Sequence, residues 1–221
     1  SGILLLNQSK YNDSYNYFKR LEGLEKSHPN FSKKYIYSLI NSGNLIQAFN
    51  YSKKLNRDKQ NIFESDLIIG VYHFKNSKFN LAKKHFLQAK KIKSLTPLNK
   101  YILDTLYLWS NLKDKNINTT KLNLDAMDHR FESLKKIQNV FLNCYFDSTK
   151  INSLYDELIS DNKTDFSRYN YFYATNLYKK GETSKAQKIV DDALEKTPRN
   201  LLLKQYKIDS NLNKINLKFD C

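Results

Sequence analysis

The sequence predicts an all-α protein, an α-solenoid of stacked antiparallel helix hairpins. Three observations point there. A set of small and bulky residues recurs at intervals of 34: Phe79, Ala82, Phe86 and Ala89 follow Leu45, Ala48, Ser52 and Leu55, which follow Tyr11, Ser14, Phe18 and Leu21. Gly2 stands two intervals before Gly70. Glycine (5) and proline (3) are scarce, which excludes a β-fold built on many tight turns and a disordered linker. The few breakers that do occur fall between the recurring sets.

The elements follow in order. Helices over 2–9 and 11–26 form the first pair, ended by His28-Pro29-Asn30. Those over 31–42 and 45–57 are parted by Ser42-Gly43-Asn44, and those over 61–75 and 79–92 by Asn76-Ser77-Lys78. Thr96-Pro97 opens a helix over 98–112. The stretch 113–123 is rich in Asn and Thr and poor in helix propensity, so a short or irregular helix is expected near 117–125. Helices over 129–144, 149–160, 166–180 and 183–196 come next, the last two divided by Lys180-Gly181-Glu182, and Thr197-Pro198 precedes one over 200–213. Ala174, Ala186, Val190, Ala193 and Pro198 repeat the early spacing with two extra residues inserted. Weaker copies lie around Ile117-Lys121-Leu124 and Ile151-Tyr155-Leu158. A small residue on one helix lets the other backbone approach, while an aromatic fills the space beside it. Each pair buries one face only, so copies must stack to share a core.

Gly70, His73, Phe79, Ala82, Phe86 and Ala89, and again Ala174, Ala186, Ala193 and Pro198, give this chain a pattern that resembles the tetratricopeptide repeat (TPR), a helix–turn–helix unit of 34 residues. The family's tryptophan at the fourth position is absent, and His73 stands for an aromatic. The resemblance implies a right-handed superhelix over 1–221, with repeats at 1–28, 29–61, 62–97, 98–131, 132–165 and 166–199 and a further helix at 200–213. Bacterial arrays of this kind often run longer. Because Gly2–Leu6 opens in mid-helix and Ile215, Leu217 and Phe219 keep the tail apolar, the expectation is a piece of a longer array.

The net charge of +15 brings nucleic acid to mind, yet it consists of 32 Lys and only 5 Arg, accompanied by 26 Asn. Lys, Asn, Ile and Tyr share A/T-rich codons, so genome composition accounts for the excess, and Arg, the better fork for phosphate, is the residue missing. Cys144 and Cys221 form no metal-binding spacing, and Cys144 is expected to be a buried, inert thiol. No phosphate-binding glycine loop, nucleophile elbow or HExxH occurs, so no enzyme and no cofactor is expected. His73 and His85, on two helices of one hairpin, would suit a zinc pair, but no third ligand accompanies them, and the expectation is no metal. The six Asn-x-Ser/Thr sequons are what so many Asn and Ser residues produce by chance. No apolar run reaches the roughly 20 residues of a membrane span. A cytoplasmic or, given an upstream leader, a periplasmic location follows.

In the family the first helix of each pair lines a concave groove that holds a peptide or a partner's helix. Positions sharing one face of those helices are Lys33, Tyr37 and Asn41; Leu67, Val71 and Lys75; Lys136, Val140 and Asn143; and Arg168, Tyr171, Thr175, Tyr178 and Lys179, with Trp109 at the edge. Amides there would hold peptide backbone, cations would meet carboxylates, and tyrosines would supply rigid contact area. The leading reading is therefore a non-catalytic scaffold for a protein or peptide partner with an acidic segment. The alternative is a helical-repeat protein binding single-stranded RNA through interleaved Tyr and Lys. A third is oligomerisation through the apolar tail.

Overall fold

Ser9, Gly43 and Ser77, spaced by 34, have φ of 58°, 78° and 56°; Asp147 and Gly181, again 34 apart, have 46° and 79°. Each sits between the two helices of a hairpin in the left-handed region. In each turn the following N–H reaches back to a helix carbonyl: Lys10 to Leu5, Asn44 to Leu39, Lys78 to His73, Ser148 to Asn143 and Glu182 to Leu177, all at 2.8 or 2.9 Å. This bond closes the end of one helix and caps its orphan carbonyl. Lys10, Asn44, Lys78 and Glu182 then adopt the same conformation, φ −82° to −88° and ψ 52° to 67°, and launch the second helix. The repeat is thus written in the backbone as well as in the side chains. At Asn111, where the interval places another such turn, φ is not positive.

The computed structural model describes residues 1–24, 28, 30–93, 95–112, 116–161, 164–211 and 214–215. Among these the chain is all-α, with thirteen α-helices: α1 (Gly2–Asn7), α2 (Tyr11–Lys19), α3 (Phe31–Asn41), α4 (Leu45–Arg57), α5 (Phe63–Lys75), α6 (Phe79–Lys90), α7 (Pro97–Trp109), α8 (Ile117–Asp125), α9 (Glu132–Tyr145), α10 (Ile151–Ser160), α11 (Tyr169–Lys179), α12 (Thr183–Lys196) and α13 (Leu201–Asn211). They gather into two compact units, Ser1–Lys115 and Asn116–Cys221. Within each, successive helices pack on one another, and α3 also touches α5, as α11 touches α13. That one-apart contact is what stacked hairpins produce.

Several ends differ from expectation. α2 stops at Lys19, because Leu21, Glu22 and Leu24 bond three residues back and Gly23 takes φ 108°. α9 is preceded by a 3₁₀ turn, His129–Phe131, where the Asp128 carboxylate accepts from the Arg130 backbone at 3.0 Å and grips its guanidinium. α11 starts at Tyr169, since Asp165 caps Ser167 at 2.9 Å and holds the chain in a turn. The Asn/Thr-rich α8 is a regular helix, capped by the Asn116 side chain on the Thr119 N–H at 2.9 Å; residues 113–115 of that stretch lie outside the described residues. So do 212–213 and, of the apolar tail, Leu217 and Phe219. Cys144 is half-buried in the last turn of α9, less enclosed than expected; Cys221 lies outside the described residues.

Packing follows the small-against-bulky rule. A Cβ placed on Gly70 would collide with the Phe86 ring, and one on Gly2 would meet the Phe18 ring at 2.9 Å. One interval between them, Ile36 and Ser52 occupy the same two places, both buried, with bulk and smallness exchanged. In the second unit Ala174 and Val190 stand there, both fully buried. Ser14, Ala48, Ala82 and Ala186 share another interior position, and Ser14 Oγ satisfies itself on the Gly2 carbonyl at 2.9 Å. Tyrosines complete the core of the second unit. Tyr155 and Tyr173 stack at 4.8 Å between centroids, and the Tyr206 hydroxyl donates to the Ala174 carbonyl at 3.3 Å. Burial pushes all three hydroxyls above the usual tyrosine range, Tyr206 to about 12.

Two predictions arise here. Gly70→Ala overpacks the contact with Phe86 and lowers stability by roughly 1–3 kcal/mol in urea unfolding, whereas Ser77→Gly relieves a left-handed non-glycine residue and raises it by about 1 kcal/mol. Because the folded pKa values of Tyr155, Tyr173 and Tyr206 are raised, their contribution is intact below about pH 10 and is lost as pH climbs through the folded values. Circular dichroism should then show helix loss above about pH 10 accompanying tyrosinate absorbance. Tyrosinate formation with unchanged helicity would contradict this.

Candidate interaction surface

In the first unit, α3 and α5 run side by side and leave a cleft of about 260 Å³ between them. Lys33, Tyr37 and Ile40 line one wall, Leu67 and Ile68 the other. Tyr37 is half-exposed, and Lys33 is tied to Glu64 at 3.0 Å across the mouth, so its charge is already answered. A second cleft of about 500 Å³ adjoins it, sharing Ile68. Leu45 and Ile46 open one side, at 51% and 65% exposure; Val71, Tyr72 and Lys75 form the other. Helical geometry explains the pairing. Leu67, Val71 and Lys75 descend α5 at steps of four, so one stripe serves both clefts.

The structure therefore brings Lys33, Tyr37 and Leu67 into one cleft and Val71 and Lys75 into the next. Asn41 is exposed but lines neither; its amide donates to the Tyr37 carbonyl at 2.8 Å. Trp109 is half-buried on α7. In the second unit the picture differs. Arg168 and Lys179 are exposed, and Tyr171 and Tyr178 are half-buried, Tyr171 set edge-on to Tyr206 at 6.0 Å. Lys136 donates to Asp161 at 2.6 Å, which raises its pKa, chiefly through that hydrogen bond. Val140 (2% exposed), Asn143 (6%) and Thr175 (0%) are interior. Asn143 donates to the Asn139 carbonyl at 2.8 Å and Thr175 to that of Tyr171 at 2.9 Å, so both polar groups are spent within their own helices. These three positions are corrected from surface to core: equal spacing fixes which residues share a face, not which way that face is turned.

Sequence reasoning missed Ile46, Ile68 and Tyr72. Leu45 was assigned to the repeating core set, and the one available signal was a second apolar residue, Ile46, immediately after it at the start of α4. The two histidines do meet. His73 and His85 stack at 5.9 Å between centroids, and His85 Nδ1 lies 2.9 Å from Asp66 Oδ1. Among the described residues no group of three or more His, Cys, Asp or Glu is placed to hold a metal ion, and no helix is long and apolar enough to cross a membrane.

No protein-family model and no curated protein matches the chain. Among solved structures it is similar to the crystal structure of the APC/C hetero-tetramer Cut9-Hcn1, with a TM-score of 0.57 and 13% identity over 92% of this chain and 40% of that one. It therefore spans two-fifths of the length of that relative. It is also similar to the crystal structure of YrrB, described as a TPR protein with an unusual peptide-binding site, with a TM-score of 0.48 and 14% identity over 86% of this chain and 97% of that one. The first likeness is one of fold: an all-α chain of repeating helix hairpins.

The burial pattern separates surface from core by stability. Val140→Ala should cost roughly 2 kcal/mol in urea unfolding, and Tyr37→Ala less than about 0.5 kcal/mol. Equal losses at the two positions would contradict the assignment.

Proposed function

We propose that this chain is a non-catalytic interaction scaffold of the TPR type, which receives a segment of another protein along the first-helix face of the Ser1–Lys115 unit. The observation that carries the proposal is the pair of adjoining clefts sharing Ile68, bordered by the exposed side chains of Tyr37, Leu45, Ile46 and Val71. Apolar groups held open to water beside a ready-made cleft are what a partner's anchoring side chains would cover. Lys34 and Lys75 at the margins favour an acidic partner segment. The 34-residue period on both sides of residue 115 supports reading 1–221 as six repeats with a further helix. The RNA-binding alternative rests on charge and on interleaved Tyr and Lys, and gains no specific feature from the clefts.

A photo-crosslinking residue placed at Tyr37 or at Ile46 tests the proposal in the full chain. Capture of a polypeptide at both positions is expected, with Ile46→Asp weakening the purified interaction at least about tenfold. Absence of any captured polypeptide, or capture indifferent to Ile46→Asp, would overturn it.

A further inference from the structure

In the same unit, α4, α5 and α6 enclose a further cleft of about 550 Å³. We infer that it is a binding site for a phosphomonoester, gripped by Lys53 and Arg57 and received against the stacked imidazoles of His73 and His85. Asn50, Lys53 and Arg57 stand at steps of three and four on α4, so one stripe of that helix presents an amide, an ammonium and a guanidinium to the cleft. Lys53 and Arg57 are exposed, and among the described residues neither is engaged in an ion pair.

The imidazoles are held in place by their surroundings. Tyr72 stacks on Phe49 at 3.8 Å, Phe49 meets His73 edge-on at 5.7 Å, and His73 stacks on His85 at 5.9 Å. Lys53 Nζ lies 4.6 Å from the Phe49 ring centre, which keeps the ammonium beside this column of rings. Asp66, buried at 1% exposure, is the one carboxylate described in contact with the group; its Oδ1 is engaged, and its Oδ2 is buried with no hydrogen-bond partner among the described residues. Its Oδ1 accepts from Asn56 Nδ2 at 3.0 Å and from His85 Nδ1 at 2.9 Å. That contact turns the His85 Nδ1 towards Asp66. Asp66 thus orients the imidazole from behind.

The donor set selects the ligand class. A guanidinium, an ammonium and the Asn50 amide offer more hydrogen-bond donors than the two oxygens of a carboxylate can accept, whereas a phosphomonoester brings three terminal oxygens and nearly two charges. The cleft is wider than a phosphate and leaves room for the group that the phosphate esterifies. Its potential is positive. Burial first, and then His85, Lys78 and Lys53, hold the His73 imidazole below its usual range, so in the empty cleft it is neutral near pH 7. A bound dianion reverses that field. The groups facing His73 are the cations Lys53 and Lys78 and the His85–Asp66 pair; a dianion bound among them offsets the cations and favours the protonated imidazole, so His73 takes up a proton on binding.

The test is an NMR titration of the imidazole resonances of the full chain with inorganic phosphate, a phosphoserine peptide, its unphosphorylated twin and acetate. Saturable shifts of His73 and His85 with phosphate or phosphopeptide, an upward move of the His73 pKa, and at least a tenfold loss of affinity in Lys53→Ala/Arg57→Ala are expected. Both replaced side chains are exposed, so the variant keeps its fold, which circular dichroism verifies. Tighter binding of the phosphopeptide would identify a protein-borne phosphate, and equal binding a free small molecule. No saturable shift, equal response to acetate or to the unphosphorylated twin, or binding that survives the double substitution would overturn the proposal.

Discussion

The structure depends on how closely the two helices of a hairpin approach. At Gly70 the α5 backbone comes so near the Phe86 ring that a single methyl group would collide with it, and at Gly2 the same relation to Phe18 recurs two intervals earlier. The constraint is one of shared volume. Where the first helix gives up its side chain, the second fills the space; at Ile36 and Ser52 the roles are exchanged, and at Ala174 and Val190 they are nearly evened out. A core packed at crystalline density tolerates such exchanges only if the sum is kept. The positive-φ turns at Ser9, Gly43, Ser77, Asp147 and Gly181 serve this contact, since each joins the two helices of a hairpin through the same left-handed conformation.

The hairpin geometry also decides what lies outside. With small-against-bulky contacts turned inward, the Ser1–Lys115 unit presents clefts of different chemistry. Those lined by α3, α4 and α5 carry open apolar side chains around Ile68; the one lined by α4, α5 and α6 gathers Lys53, Arg57 and two imidazoles beside a buried carboxylate. Protein docking and anion binding would therefore be served by separate clefts that share α4 and α5.

Much of this was legible in the residues. Helix positions followed from the interval and from breakers such as Gly43, Gly181 and Pro97, because glycine at a left-handed turn and proline in a first helical turn are demanded by backbone sterics. Ser77 and Asp147 do the same work without announcing it, and only the interval exposes them. The surface was harder to read. Val140, Asn143 and Thr175 sit on the right helices but turn inward, since the direction of a helical stripe depends on which neighbours it meets. Ile46 escaped notice because Leu45 beside it carried the repeat. The Lys33–Glu64 bridge and the Asp66 link to Asn56 and His85 join residues 31, 10 and 19 positions apart, distances at which no local pattern speaks.

The claim that shared volume sets the hairpin is tested most directly by exchanging the pair. Gly70→Ile and Phe86→Ser, made singly and together, would recreate in α5 and α6 the arrangement that Ile36 and Ser52 hold in α3 and α4. Each single change should destabilise the chain strongly in urea unfolding, and the double variant should regain most of the combined loss. A double variant as unstable as the sum of the two single changes would contradict the account.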